Sequence, residues 1–161
     1  MNRIVKPEDA NALSKIYNYY ILNSVVTFEE TPLTVAEMKD RIQTNSSKFP
    51  WVVYEKDGQI LGYAYAIEWK QRGAYKFSVE STVYLKQDEM NKGIGTALYA
   101  ELIKRLTEMD IHAVIGGIAL PNEASIALHE KLGFKKVAHF KEVGYKFEKW
   151  VDIGYWELMI N

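Results

Sequence analysis

No cysteine occurs among the 161 residues, which excludes disulfide and thiolate-metal staples and leaves no thiolate nucleophile for catalysis. Proline is scarce, with four residues scattered along the chain, and no stretch is low in complexity or internally repeated, so no linker marks a division. Neither sign of charge dominates: 20 basic against 21 acidic side chains give a formal charge of −1. Without a basic excess or a run of like charges, nucleic acid is not an expected partner. Long hydrophobic runs are missing too. The longest stretch free of Asp, Glu, Lys and Arg runs from Ile16 to Phe28, well short of the roughly 20 apolar residues that cross a membrane. The first residues, Met1-Asn2-Arg3-Ile4-Val5-Lys6, contain no apolar signal core. A cytoplasmic protein with no membrane partner is the expectation.

What is present is 48% hydrophobic and 25% charged, the make-up of one ordinary globular domain over residues 1–161. A chain of this length buries roughly 70% of its unfolded surface, enough for a core without staples. Pro7-Glu8-Asp9 ahead of Ala12, Leu13, Ile16 and Tyr17 or Tyr20 predicts a helix with an acidic first turn. Thr34 with Glu37 three residues on predicts a capping box and a second helix. Two β-rich runs, 51–55 and 60–67, flank Lys56-Asp57-Gly58-Gln59 and predict a hairpin. A strand over 77–85 leads through the polar stretch 86–92 and Gly93-Ile94-Gly95 into a helix carrying Leu98, Leu102, Ile103 and Leu106. A strand over 113–119, a helix over 122–132 stopped by Gly133, and strands near 134–143 and 153–160 complete the order. This is a mixed α/β layer structure. The strands 77–85 and 113–119, joined by a helix, should lie parallel and adjacent, and ligands in such sheets sit beyond the carboxyl ends of the strands.

The segment Met90-Asn91-Lys92-Gly93-Ile94-Gly95 joins a strand to a helix, where free N–H groups at the helix start can hold a pyrophosphate. A bare G-x-G fits a tight turn with no ligand equally well. The chain has neither G-x-x-x-x-G-K-[ST] nor the third glycine of G-x-G-x-x-G, so a P-loop hydrolase and a dinucleotide dehydrogenase are not supported. Glu80 stands alone in an otherwise uncharged strand segment. Burial there would raise its pKa toward that of a useful base, though a strand glutamate is commonly just paired or solvated. The three histidines, His112, His129 and His139, have no carboxylate or cysteine at ligand spacing, and no metal site is indicated.

The turn at 90–95 resembles the acetyl-CoA turn [QR]-x-x-G-x-[GA] of the GNAT acetyltransferases, with Met90 departing at its first position. Asn122-Glu-Ala-Ser125-Ile-Ala-Leu128-His129-Glu-Lys-Leu-Gly133-Phe134 resembles the family's N-x-x-[AS]-x-x-L-[YH]-x-x-x-G-F. More narrowly, the chain is similar to the phosphinothricin and methionine sulfone (sulfoximine) type along nearly its whole length. The matching stretches are 16–21, Thr27-Phe28, 69–75, 80–84, 120–122, 128–130 and 144–152.

That resemblance implies a GNAT fold: a mixed, mostly antiparallel sheet with one parallel strand pair, flanked by about four helices. It implies a homodimeric enzyme that moves an acetyl group from acetyl-CoA, without a metal, to the α-amino group of a small amino acid analogue. Direct transfer in a ternary complex is the expected route, since no cysteine is available to form an acyl-enzyme. Met90, Asn91, Lys92, Gly93, Ile94 and Gly95 would hold the pyrophosphate, and Asn122 and Ser125 the pantetheine. Thr82, Val83 and Tyr84, where the family carries a strand bulge, would place the thioester. Glu80 becomes the base, and His129, where most of the family has tyrosine, the acid that protonates the leaving thiolate. The loop 69–75 with Ser81 would face the acceptor: Lys70 or Arg72 for its carboxylate, Trp69, Tyr75 and Phe28 as an aromatic wall. Phosphinothricin-preferring members carry histidine where Phe147 stands, and members acting on methionine sulfone can have phenylalanine. Two other readings remain: an enzyme acting on a polyamine or a protein N-terminus, and a non-catalytic acetyl-CoA-binding module, toward which only Met90 leans.

Overall fold

A computed structural model describes residues Met1–Asn161. Seven strands form one sheet: β1 (Asn2–Ile4), β2 (Trp51–Lys56), β3 (Gln59–Glu68), β4 (Ser78–Leu85), β5 (Ala113–Leu120), β6 (Lys135–Lys146) and β7 (Lys149–Met159). Their spatial order is β1-β2-β3-β4-β5-β7-β6. Four helices cover it: α1 (Ala10–Asn23), α2 (Val35–Ser46), α3 (Ile94–Glu108) and α4 (Glu123–Lys131). Among neighbouring strands β4 and β5 alone run parallel, and the crossover helix α3 joins them.

Alternation along the strands builds two cores. On one face Val52, Ala64, Ala66, Val79 and Val114 meet Leu98, Tyr99, Leu102 and Leu106 of α3. On the other, Trp51, Val53 and Tyr63 meet Leu13, Tyr17 and Ile21 of α1 and Met38 and Ile42 of α2. Leu102 is fully buried, and truncating such a side chain to alanine costs about 2–5 kcal/mol. The capping box of α2 forms as predicted: Glu37 N–H donates to Thr34 Oγ1 at 3.1 Å, and Thr34 N–H to Glu37 Oε2 at 2.7 Å. Helix α4 begins one residue later than expected, with Asn122 as its N-cap accepting from Ser125 N–H at 3.1 Å.

Two features depart from the sequence expectation. The short strand β1 pairs with β2, although three residues carry too little pattern to be seen. The closing strands are longer than expected and meet in a two-residue turn, Phe147-Glu148, with φ of +52° and +59°. Both left-handed positions are usually taken by asparagine, aspartate or glycine, so this hairpin announces itself by none of the usual residues.

The parallel ladder is short. Ser78, Val79 and Glu80 pair with Ala113, Val114 and Ile115. Beyond that point β4 continues only on β3, as far as Leu85 opposite Gly62. Strand β5 continues only on β7, as far as Leu120 opposite Asp152. The sheet therefore opens into a V whose apex is Glu80 and Ile115.

Candidate active site

The opening leaves one edge of β4 without a strand partner from Ser81 to Leu85, so the backbone N–H and C=O groups of Ser81 and Val83 face the gap while those of Thr82 and Tyr84 are turned to β3. The bulge expected near Val83 and Tyr84 is absent, since the β3–β4 register is continuous from Glu68/Val79 to Gly62/Leu85. Strand divergence, not a bulge, exposes these groups. Pleating sends Val83 to the α3 core and Tyr84 to the α1 core, and Thr82 shares the face of Tyr84 and Glu80.

Glu80 lines a cleft of about 480 Å³ together with Trp69, Lys70, Gln71, Phe49 and Lys48. Burial pushes its carboxyl above the ordinary glutamate range, and the Lys70 ammonium partly opposes this. No protein group donates a hydrogen bond to it, so the carboxylate is free to take a proton from a guest. Lys70 Nζ lies 4.8 Å above the Trp69 ring, which holds the cation beside the cleft. Arg72 and Tyr75 stand outside the cleft lining, at the start and end of the exposed turn around Gly73–Tyr75. Phe28 also stands outside the cleft lining and packs over Gly144 of β6.

On the other face, Ser81 is buried and bonded to the Tyr99 hydroxyl at 2.7 Å, so it does not reach the cleft that Glu80 faces. Tyr99 is bonded in turn to His129 Nε2 at 2.9 Å. His129 Nδ1 lies 2.7 Å from the Ser125 carbonyl. A carbonyl only accepts, so the ring proton sits on Nδ1. Burial lowers the pKa of His129, which keeps the ring neutral, and Nε2 then accepts from Tyr99. The direction of the whole chain follows: Ser81 to Tyr99 to His129 to Ser125. Tyr99 was not among the residues the sequence pointed to, because nothing local distinguishes it from a core aromatic.

Two adjacent glycines of β5, just past the apex, leave room on both faces. A Cβ on Gly116 would lie 2.5 Å from His129 Nε2. One on Gly117 would lie 3.1 Å from Tyr155 Cε1 and 3.6 Å from Glu80 Oε1. Tyr155 also meets Trp69 edge to face at 5.6 Å and extends the aromatic wall. A glycine pair inside an apolar strand marks a close approach, and this signal was readable in Val114-Ile115-Gly116-Gly117-Ile118.

The turn into α3 has the shape of an anion cradle. Asn91 and Gly93 have φ of +61° and +80°, which aims successive N–H groups to one side, and the first-turn N–H groups of α3 have no partner within the helix. Gly95 is buried in the first turn of α3, where a Cβ would make ordinary contact with Leu128 at 3.4 Å. Lys92 pairs with Glu89 at 3.1 Å, and Met90 is exposed, so the cradle depends on the backbone at these positions. Asn122 and Ser125 cap α4, and no cluster of three or more His, Asp or Glu is placed to hold a metal.

The profile of the acetyltransferase (GNAT) domain family matches residues 3–154. The chain belongs to this family. It is 38% identical over 149 residues to a phosphinothricin N-acetyltransferase of Streptomyces viridochromogenes, covering 92% of this chain and 81% of that one. It is 30% identical over 155 residues to an L-methionine sulfoximine/L-methionine sulfone acetyltransferase of Pseudomonas aeruginosa, with coverage of 95% and 90%. A crystal structure of a GNAT superfamily phosphinothricin acetyltransferase from Sinorhizobium meliloti, in complex with acetyl-CoA, superposes with a TM-score of 0.96 at 36% identity, covering 100% of this chain and 88% of that one. As a GNAT enzyme the protein is an acetyl-CoA-dependent N-acetyltransferase. No helix is long and apolar enough to cross a membrane.

Proposed function

We propose that residues 1–161 act as one catalytic domain that acetylates the α-amino group of a small amino acid analogue, of the phosphinothricin, methionine sulfone or methionine sulfoximine class. The observation that carries this reading is Glu80: a half-buried carboxylate of raised pKa at the apex of the opening, facing the cleft and one residue short of the unpaired β4 edge. Glu80 removes a proton from the acceptor ammonium, directly or through a water. The freed amine attacks the thioester carbon, and the N–H of Val83 on the open edge receives the oxyanion, while that of Tyr84 is turned to β3. The C–S bond then breaks, and the thiolate takes up a proton. Both reactants are bound together, so transfer is direct.

His129 can supply that final proton only as imidazolium, a form its burial disfavours, so its share in turnover is smaller than that of Glu80. Lys70 is the better placed of the two candidate cations to hold the acceptor carboxylate, since Arg72 lies outside the cleft lining. The cleft holds Lys48 and Lys70 against Glu68 and Glu80, and this balance gives a polyamine no advantage. The exposed apolar side chains of the β6–β7 hairpin, among them Phe140, Val143, Tyr145 and Trp150, support a homodimer, and a monomeric mass by sedimentation would refute it. The enzyme is assigned to the cytoplasm on the same reading.

The deciding assay follows thiol release from acetyl-CoA with phosphinothricin, methionine sulfone, methionine sulfoximine, ordinary amino acids, spermidine and a short peptide. Release with the carboxylate-bearing small acceptors is expected. Release with spermidine or peptide alone would overturn the acceptor assignment.

A further inference from the structure

Lys146, near the tip of the β6–β7 hairpin, is 2% exposed. Burying an ammonium without partners is costly, so such groups are found where hydrogen bonds hold them. Its Nζ donates to the backbone carbonyl of Ser24 at 2.7 Å and of Thr27 at 2.9 Å, and lies 5.0 Å above the Phe147 ring. No carboxylate pairs with it: Glu29, the acidic side chain of this segment that is paired, is engaged by Arg41. Ser24 is the C-cap of α1, where helix-end carbonyls favour a cation.

The segment held by Lys146 is itself a bridge. On one side the Thr27 hydroxyl bonds to Tyr17 of α1 at 2.8 Å and faces Tyr84 of β4. On the other, Phe28 lies so close to β6 that a Cβ on Gly144 would be 2.2 Å from Phe28 Cζ. The segment therefore ties β4 to β6, on opposite sides of the place where the sheet divides. From the hairpin, Lys146 Nζ reaches the Ser24 and Thr27 carbonyls and adds a charged tether to the bond made by the Thr27 hydroxyl.

We propose that Lys146 is a positioning residue for acceptor binding: its ammonium clasps residues 24–28 to the hairpin tip and so fixes the Phe28 wall across the opening. This rests on the amino-acid acceptor reading above. It assigns Lys146 no contact with acetyl-CoA or with the reacting atoms.

The test compares Lys146→Met and Lys146→Arg with the unaltered enzyme, in steady-state kinetics and in amide hydrogen exchange over residues 24–28. The Met variant keeps a long unbranched side chain, one atom shorter, but loses the donors. It should raise KM for the acceptor about tenfold, with KM for acetyl-CoA changed by less than about twofold, the pattern of lost binding on one substrate side. Exchange of the 24–28 amides should quicken, and the Arg variant should recover part of both effects. Exchange is read with no acceptor present, so a failed clasp and a wrong acceptor give different results. Unchanged exchange, or equal rises in both KM values, would overturn the proposal. Should the Met variant not fold, Gly144→Ala displaces Phe28 while leaving Lys146 in place. It should raise the acceptor KM alone, and an unaltered acceptor KM would count against the clasp.

Discussion

The Tyr99 hydroxyl donates to His129 Nε2 across 2.9 Å, and this one bond decides the state of the histidine. With Nδ1–H given to Ser125 and Nε2 occupied, the imidazole is neutral and fully engaged. The sequence resemblance offers His129 as an acid; the packing makes it a member of a closed chain running from Ser81 to Ser125.

A neutral His129 ties stability to pH. Burial lowers its folded-state pKa below the ordinary value of 6.5. As pH falls through that value the unfolded chain binds a proton that the folded chain refuses, so stability is lost on acidification. Urea melts at pH 7.5 and 5.5, the two values chosen to bracket about 6.5, should show a drop that shrinks in His129→Gln. An equal drop in both proteins would mean that folding does not lower the pKa of His129.

Replacing Glu80 by glutamine removes the proposed base while keeping its shape. We expect kcat to fall by about 10²–10⁴, the range for a lost general base, with acetyl-CoA affinity retained by calorimetry. Near-normal turnover would remove Glu80 from the mechanism.

Lys70 holds the Glu80 pKa down against burial. Lys70→Met should therefore move the acidic limb of the kcat/KM profile to higher pH, because the carboxyl must lose its proton without a nearby cation. A shift to lower pH, or none, would break the link between the two residues.

The glycine pair of β5 separates the two faces. In Gly116→Ala the new methyl would lie 2.5 Å from His129 Nε2, inside a packed core, and a loss of about 1–3 kcal/mol is expected by thermal unfolding. In Gly117→Ala the methyl meets Tyr155 and Glu80 at an exposed position of the strand. There the fold should persist while activity falls. The reverse ranking, with Gly117→Ala the less stable protein, would contradict the placement.

Local pattern carried much of this protein. The capping box at Thr34, the Asp57-Gly58 hairpin and the α3 periodicity are each written in a short stretch of sequence, because helix and strand periods and turn conformations are short-range physics, and the parallel crossover followed from the order strand, helix, strand. The turn at Phe147-Glu148 was not legible, since neither of these exposed residues has an intrinsic preference for the left-handed conformation that both adopt. Lys146 was equally silent. Its partners are Ser24 and Thr27, more than a hundred positions away in the chain, and no spacing rule joins them.

Helix and strand periods were enough to read a mixed α/β domain from the chain alone, and the resemblance of the motifs at 90–95 and 122–134 to the GNAT family added acetyl transfer. Whether Glu80 faced solvent or a cleft depended on where β4 and β5 part. Whether Ser81 faced the same cleft depended on strand pleat. Whether His129 held a spare proton depended on Tyr99, thirty residues earlier. These are questions of which groups meet across the sheet and which are shut off from water, and such meetings exist only once distant segments pack.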